Sequence, residues 1–211
     1  MHKLSPHEVV ITFDLHGVLF TTDYALFCKL LWQSSNLGKL FFHALYPTIW
    51  YRCIRLWLQS SPVEQYIMEL TTDWPTLTPC RNILIALANA QKPNVPMIAL
   101  VHQLKKKGYE LHIFSNIGTI ILADLHTKFP EILSLFDHTF TTSSQIGYPS
   151  KRHEMFFKLY LKSHESLLKK QIVFIDNCPE NNRLGKVQKM IVVDAKNPEW
   201  VKQQLRLFIK F

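Results

Sequence analysis

The sequence predicts an α/β fold: a doubly wound, Rossmann-like parallel sheet with a helical cap inserted after its first strand. Three observations predict it. Five short apolar runs recur along the chain with helical patterns between most of them, an alternation that implies parallel strands joined by crossover helices. The first run, Val9-Val10-Ile11-Thr12-Phe13, stops on Asp14, with Gly17 three residues later, so a buried strand delivers a carboxylate to its C-terminal tip. The segment from Tyr24 to about Asn94 then breaks the alternation and reads as mostly helical.

Taken in order, the first strand is Val9 to Phe13. In the segment that follows, Leu26, Leu30, Leu31, Leu37, Leu40 and Phe41 lie in one part. Ile49, Cys53, Leu56 and Trp57 follow at helical spacing. Pro47, Pro62, Pro75 and Pro79 punctuate it. A helix over Met97 to Lys107 and the turn glycine Gly108 lead into the second strand, Glu110 to Phe114. A helical pattern over Ile117 to Phe129 precedes the third, His138 to Thr142. Another over Lys151 to His164 precedes the fourth, Gln171 to Ile175, and one over Asn181 to Val187 precedes the fifth, Lys189 to Val193. The core is therefore assigned to residues 1–22 and 95–211 and the cap to 23–94. Right-handed crossovers put every strand's C-terminal end on one edge, where ligands bind in open α/β sheets. Asp14, Ser115 and Asp176 all fall there.

Composition narrows the class. The 211 residues suit one core domain with a modest insertion, and 47% hydrophobic residues are enough for a sizeable core. The net charge of +8 favours anionic partners such as phosphate esters or acidic surfaces. No zinc-finger, RNA-recognition or basic-zipper pattern is present, so specific nucleic-acid binding is not expected. Cys28, Cys53, Cys80 and Cys178 form no CxxC pair, and no histidine spacing completes a zinc site around them. Such scattered cysteines predict a reducing, cytoplasmic setting. Asp14 interrupts the first apolar run, which argues against a signal peptide, and no stretch of 18 unbroken apolar residues exists.

From Tyr24 to Val63 there is no acidic residue, while Lys29, Lys39, Arg52 and Arg55 stand among Phe27, Trp32, Phe41, Phe42, Tyr46, Trp50, Tyr51 and Trp57. This is either a cap with its own small core or a surface for peripheral membrane or protein contact.

At the strand tips, Asp14 is placed to act as a nucleophile or metal ligand, or simply to start a turn. Ser115-Asn116 sits at a strand-to-helix junction, where a hydroxyl, an amide and free backbone N–H groups can bind phosphate oxygens; the same residues also make a helix N-cap. Asp176-Asn177 can offer hard oxygens to Mg²⁺ with Glu180 and Asn181 orienting them, or can form an ordinary Asx turn. Lys151 and Arg152 are cations that would screen two carboxylates and hold Asp14 ionised, or solvated charges at a helix start.

In this order these residues resemble the haloacid dehalogenase superfamily, from Asp14 to about Asn181 and more loosely to the end. Asp14-Leu15-His16-Gly17-Val18-Leu19 is similar to its first motif, Asp-x-Asp-Gly-(Thr/Val)-Leu, and Ser115-Asn116 to its second. Lys151 stands near the third motif's lysine, and Phe174-Ile175-Asp176-Asn177 is similar to the acidic pair of the fourth. The branch it looks most like is the small-cap phosphatases of sugar phosphates and similar esters.

The resemblance implies a Mg²⁺-dependent phosphatase of a small phosphorylated metabolite that works through an aspartyl phosphate. Asp14 would attack, His16 would act as acid and base, and Ser115 and Lys151 would bind phosphoryl oxygens. Asn116 would contact the substrate. Asp14, the His16 main chain, Asp176 and Asn177 would hold the metal. Three positions depart from the pattern. His16 replaces the second aspartate, Ser150 stands where the lysine is expected, and Asn177 replaces the second acid of the fourth motif. These departures leave two further readings. One is a catalytically silent member that binds a ligand or partner. The other is a metal-free dehalogenase in which Asp14 attacks carbon.

Overall fold

The computed structural model describes residues 3–49, 51, 63–143, 146–147 and 149–210. Among these, the strands are β1 (Val9–Phe13), β2 (Phe20–Thr22), β3 (Gln91–Pro93), β4 (Glu110–Ser115), β5 (His138–Thr141), β6 (Gln171–Asp176) and β7 (Ile191–Asp194). Five of them form a parallel sheet in the order β5-β4-β1-β6-β7. Strand β1 takes the centre because both its faces are apolar, as parallel strands covered on two sides require. Val9, Ile11 and Phe13 enter one core cluster and Val10 the other.

On the first face the helices Val95–Lys106, Thr119–Lys128 and Pro198–Phe208 lay Val101, Leu104, Leu125, Val201 and Leu205 in one cluster with Ile11, Ile113 and Ile175. On the second, Glu154–Lys162 and Pro179–Val187 bring Phe156, Phe157, Tyr160 and Leu184 together with Phe114, Ile172 and Phe174. Each such fully buried side chain stabilises the fold by about 1.5–3 kcal/mol. Gly185 lets the second of these helices approach the sheet closely. A Cβ there would stand 2.8 Å from the Phe174 ring.

Strands β2 and β3 pair antiparallel as a short ribbon. Between them the chain is helical over Tyr24–Gln33, Leu37–Ala44, Val63–Asp73 and Arg81–Ala88, with a 3₁₀ turn at Pro75–Cys80. Ile49, Leu70, Leu77 and Cys80 form a small apolar cluster of their own there. Trp32, Phe41 and Tyr51 are exposed. The expected stripe through Cys53, Leu56 and Trp57, together with Trp50, Arg52 and Arg55, lies outside the described residues. Among the described residues no helix is long and apolar enough to cross a membrane.

Differences from the sequence reading have local causes. The helix expected from Lys151 begins at Glu154, because residues 151–153 form a turn. The helix expected from Ile117 begins at Thr119, and Pro130 starts a separate short helix after Phe129. The helix expected from Asn181 begins at Pro179, a residue suited to the first helical position. Strand β7 starts at Ile191, two residues later than expected, after Lys189 takes a left-handed φ of 60°. The last helix, Pro198–Phe208, was not anticipated. Its signal is Asn197-Pro198-Glu199, in which the Asn197 side chain accepts a 2.9 Å hydrogen bond from the Trp200 N–H.

Candidate active site

Three strands end at one place. Asp14 follows β1, and its N–H bonds the Ile175 carbonyl at 2.9 Å. Ser115 is the last residue of β4 and Asp176 the last of β6, and all three side chains are buried. The Ser115 hydroxyl donates to Asp14 Oδ1 at 2.8 Å and accepts the Ile117 N–H at 3.4 Å.

Lys151 joins the two carboxylates. Its Nζ lies 2.8 Å from Asp14 Oδ1 and 2.5 Å from Asp176 Oδ2, and it donates to the Phe114 carbonyl at 3.2 Å. The Phe114 and Phe174 rings flank it, each centroid 5.7 Å away. Burial opposes the charge on Lys151, but the Asp14 and Asp176 carboxylates outweigh it and hold the lysine pKa above its ordinary value. Burial and the neighbouring Asp14 push Asp176 up, against the pull of Lys151. One ammonium therefore serves two carboxylates.

The turn at residues 150–153 explains how a lysine one place out of register reaches the site. Asn116 Oδ1 accepts the Lys151 N–H at 2.7 Å, and Ser150 Oγ accepts the Arg152 N–H at 3.2 Å. Arg152 is not among the residues lining the cavity described below.

Asp176 faces inward. Its Oδ1 accepts from the Cys178 N–H at 2.7 Å and from Asn181 Nδ2 at 3.2 Å, while Oδ2 takes Lys151 and Asn181. Asn181, read from sequence only as a possible orienting residue, thus touches both oxygens of this carboxylate. Glu180 instead accepts from the Cys178 thiol. His16 and Asn177 are exposed at the rim. Gly17, at φ +83°, turns the chain just after His16, and the Asn177 amide rests against it. A Cβ at Gly17 would stand 2.3 Å from Asn177 Nδ2.

These residues border a cavity of about 490 Å³, a size common for small-molecule sites. Ile117 and Gly118 line it where the helix Thr119–Lys128 begins, so the positive end of that helix favours an anion there. Thr22, Phe27, Leu87 and Gln91 close it from the other side. Sequence reasoning did not single these four out as lining residues, because only the β2–β3 ribbon and the following helices bring them together. Asp14, His16, Ser115, Asn116, Lys151 and Asn177 all line the cavity, whereas Asp176 stands behind Lys151.

No family model matches the sequence, and no curated protein sequence does. Solved structures do. A haloacid dehalogenase (HAD) family enzyme from Bacteroides thetaiotaomicron matches with a TM-score of 0.60 at 15% identity, covering 92% of this chain and 94% of that one. The chain has the haloacid dehalogenase fold. A predicted HAD-like family hydrolase from Porphyromonas gingivalis matches with a TM-score of 0.60 at 19% identity, over 95% of this chain and 98% of that one. The L-2-haloacid dehalogenase of Xanthobacter autotrophicus, with chloropropionic acid covalently bound, shares the HAD fold at a TM-score of 0.59 and 14% identity, over 89% and 76%. The Bacteroides enzyme also has a structure in complex with magnesium and inorganic phosphate.

Proposed function

We propose that this protein is a hydrolase that cleaves a small phosphate monoester with the help of Mg²⁺, using Asp14 as nucleophile. One observation carries the reading. Asp14 lies on the cavity wall with Oδ1 held by Ser115 and Lys151, while its Oδ2 has no hydrogen-bond partner among the described residues.

The oxygen-bearing residues that line the cavity fit Mg²⁺, which takes oxygen ligands and commonly makes do with one or two carboxylates plus substrate phosphate and water. The Asp14 carboxylate, the His16 main-chain carbonyl and the Asn177 side-chain oxygen, all on cavity-lining residues, would hold it. Asp176 serves here as the partner of Lys151, since both its oxygens are engaged. Bound there, the ion would offset negative charge on the transferring phosphoryl group, which a cluster of two carboxylates and one ammonium does not do by itself. The magnesium and inorganic phosphate held by the Bacteroides enzyme support this reading.

The protein's own residues do the rest. Ser115, Lys151 and the N–H groups at the start of the helix Thr119–Lys128 hold the phosphoryl oxygens. The Asp14 carboxylate attacks phosphorus, the ester P–O bond breaks, and His16 gives its proton to the departing oxygen. His16 then takes a proton from water as that water attacks the aspartyl phosphate. Inorganic phosphate leaves and Asp14 is restored.

Carbon–halogen cleavage is the second reading. It is favoured by His16 and Asn177, which leave Asp14 as the sole carboxylate among the described cavity-lining residues. One experiment separates the two: phosphate release from a panel of phosphate monoesters and halide release from short haloacids, each with Mg²⁺ or chelator. The expected result is Mg²⁺-dependent phosphate release that vanishes in Asp14→Asn. Halide release insensitive to chelator would replace the first reading with the second, and no turnover of either class would leave a binding role.

A further inference from the structure

A second constellation lies at the opposite end of β4. Glu110 opens that strand and Ser115 closes it, so at about 3.3 Å per residue the two are roughly 16 Å apart. Among the described residues, Glu110, His112 and His164 are the group whose ligand atoms all lie within 4.8 Å of one another. Glu110 Oε1 is 2.8 Å from His112 Nε2 and 3.7 Å from His164 Nδ1. Around a tetrahedral zinc with bonds of 2.0–2.1 Å, donor atoms stand about 3.3 Å apart. The three atoms thus need only small rotations to share an ion.

We propose that Glu110, His112 and His164 bind a zinc-class transition-metal dication, in a site separate from the catalytic cavity. Four features prepare it. First, the His112 Nδ1 is held by Tyr160 Oη at 3.1 Å, and Tyr160 Oη in turn meets Thr12 Oγ1 at 2.6 Å. That outer hydrogen bond fixes the ring with Nε2 toward the carboxylate, the arrangement that orients ligating histidines.

Second, Lys170 takes Glu110 Oε2 at 2.7 Å, which orients the carboxylate and leaves Oε1 for the metal. The lysine and glutamate charges cancel, so a dication meets a neutral site, as it does among three neutral histidines. Third, the Ser166 hydroxyl bridges two of the donors, 2.5 Å from Glu110 Oε1 and 2.8 Å from His164 Nδ1, and can rotate away when an ion takes its place. Fourth, access exists. The His164 side chain is 41% exposed, and Glu110 and His164 line a surface cavity of about 380 Å³.

The His138 ring packs 5.1 Å from His112 and 5.2 Å from His164, with its Nε2 turned to Ser163, so it walls the site. Two imidazoles and one carboxylate select zinc, cobalt or nickel over magnesium. The set leaves a fourth position for water. Its effect would be to pin the start of β4 to the 163–170 segment.

Untagged protein stripped with chelator and titrated with Co²⁺ tests this. The expected result is one equivalent of tetrahedral Co²⁺ absorption, displaced by Zn²⁺ and untouched by Mg²⁺. His164→Ala should lose that absorption and bind Zn²⁺ at least tenfold more weakly, while His126→Ala, an exposed histidine elsewhere, should match the parent. His164→Cys should keep the site and add a thiolate-to-cobalt charge-transfer band that only direct ligation gives. An octahedral cobalt spectrum, or equal Zn²⁺ affinity in the parent and His164→Ala, would overturn the proposal.

Discussion

The Asn116 side chain holds the main chain of Lys151. Its Oδ1 accepts the Lys151 N–H at 2.7 Å, while Ser115, one residue earlier, donates to the Asp14 oxygen that Lys151 Nζ approaches at 2.8 Å. The pair at the tip of β4 thus sets both the serine and the loop that carries the lysine. This gives Asn116 a positioning role beside any contact with substrate.

Asn116→Ala should therefore act through Lys151. Losing one hydrogen bond of this kind is worth about 1–1.5 kcal/mol, so kcat/KM should fall about tenfold. In a Lys151→Ala background the same change should have almost no further effect, because the group it positions is gone. A double-mutant cycle on phosphate release measures this. Additive losses would mean that Asn116 acts on the substrate alone.

The sheet was legible in the sequence because its central strands are buried on both faces, so Val9–Phe13 and residues 172–175 read as nearly continuous apolar runs. The ribbon of β2 and β3 was not, since three residues show no period. Asp14, Ser115 and Asp176 could be placed together because topology alone gathers strand tips. Lys151 was expected there as a candidate cation and by the family resemblance, but how it reaches the site was not legible, because that depends on an amide 35 positions away that the pattern offered only as a phosphate contact or cap. The Glu110, His112 and His164 group was invisible for a related reason. Its members come from one strand and a distant loop, and zinc spacing was sought around cysteines.

Gly17 is constrained twice, by its φ of +83° and by the Asn177 amide lying where a Cβ would go. Gly17→Ala should destabilise the fold by roughly 1–2 kcal/mol from the backbone alone. It should also displace Asn177, so activity should fall further than the loss of folded protein explains. Urea melts alongside kcat at saturating substrate check this. Unchanged activity per folded molecule would show that Asn177 need not stay against the turn.

Asn177→Asp would place a second carboxylate on the rim beside the Asp14 carboxylate and the His16 carbonyl. The added charge should lower the Mg²⁺ concentration for half-maximal phosphate release about tenfold, a change of about 1.4 kcal/mol. Asn177→Ala should raise it. Activity against Mg²⁺ concentration gives the answer. Identical curves for all three proteins would remove Asn177 from the metal site.

His16 supplies the sharpest test of the chemistry, because its side chain is exposed and substitution there should leave the fold intact. If the imidazole protonates the departing oxygen, its removal must cost most where that oxygen leaves worst. Alkyl phosphates leave as strongly basic alkoxides and need the proton. A nitrophenyl phosphate leaves as a stabilised phenolate and hardly needs it. General acid catalysis contributes about 10²–10⁴-fold, so His16→Ala should lower kcat by that order on an alkyl ester and much less on the aryl ester. His16→Asp should recover a large part of the loss, since a carboxyl group can do the same work from that position. Measuring both esters with the three proteins separates proton transfer from binding. A binding role would depress the two esters alike, chiefly through KM, and that pattern would exclude His16 as the acid.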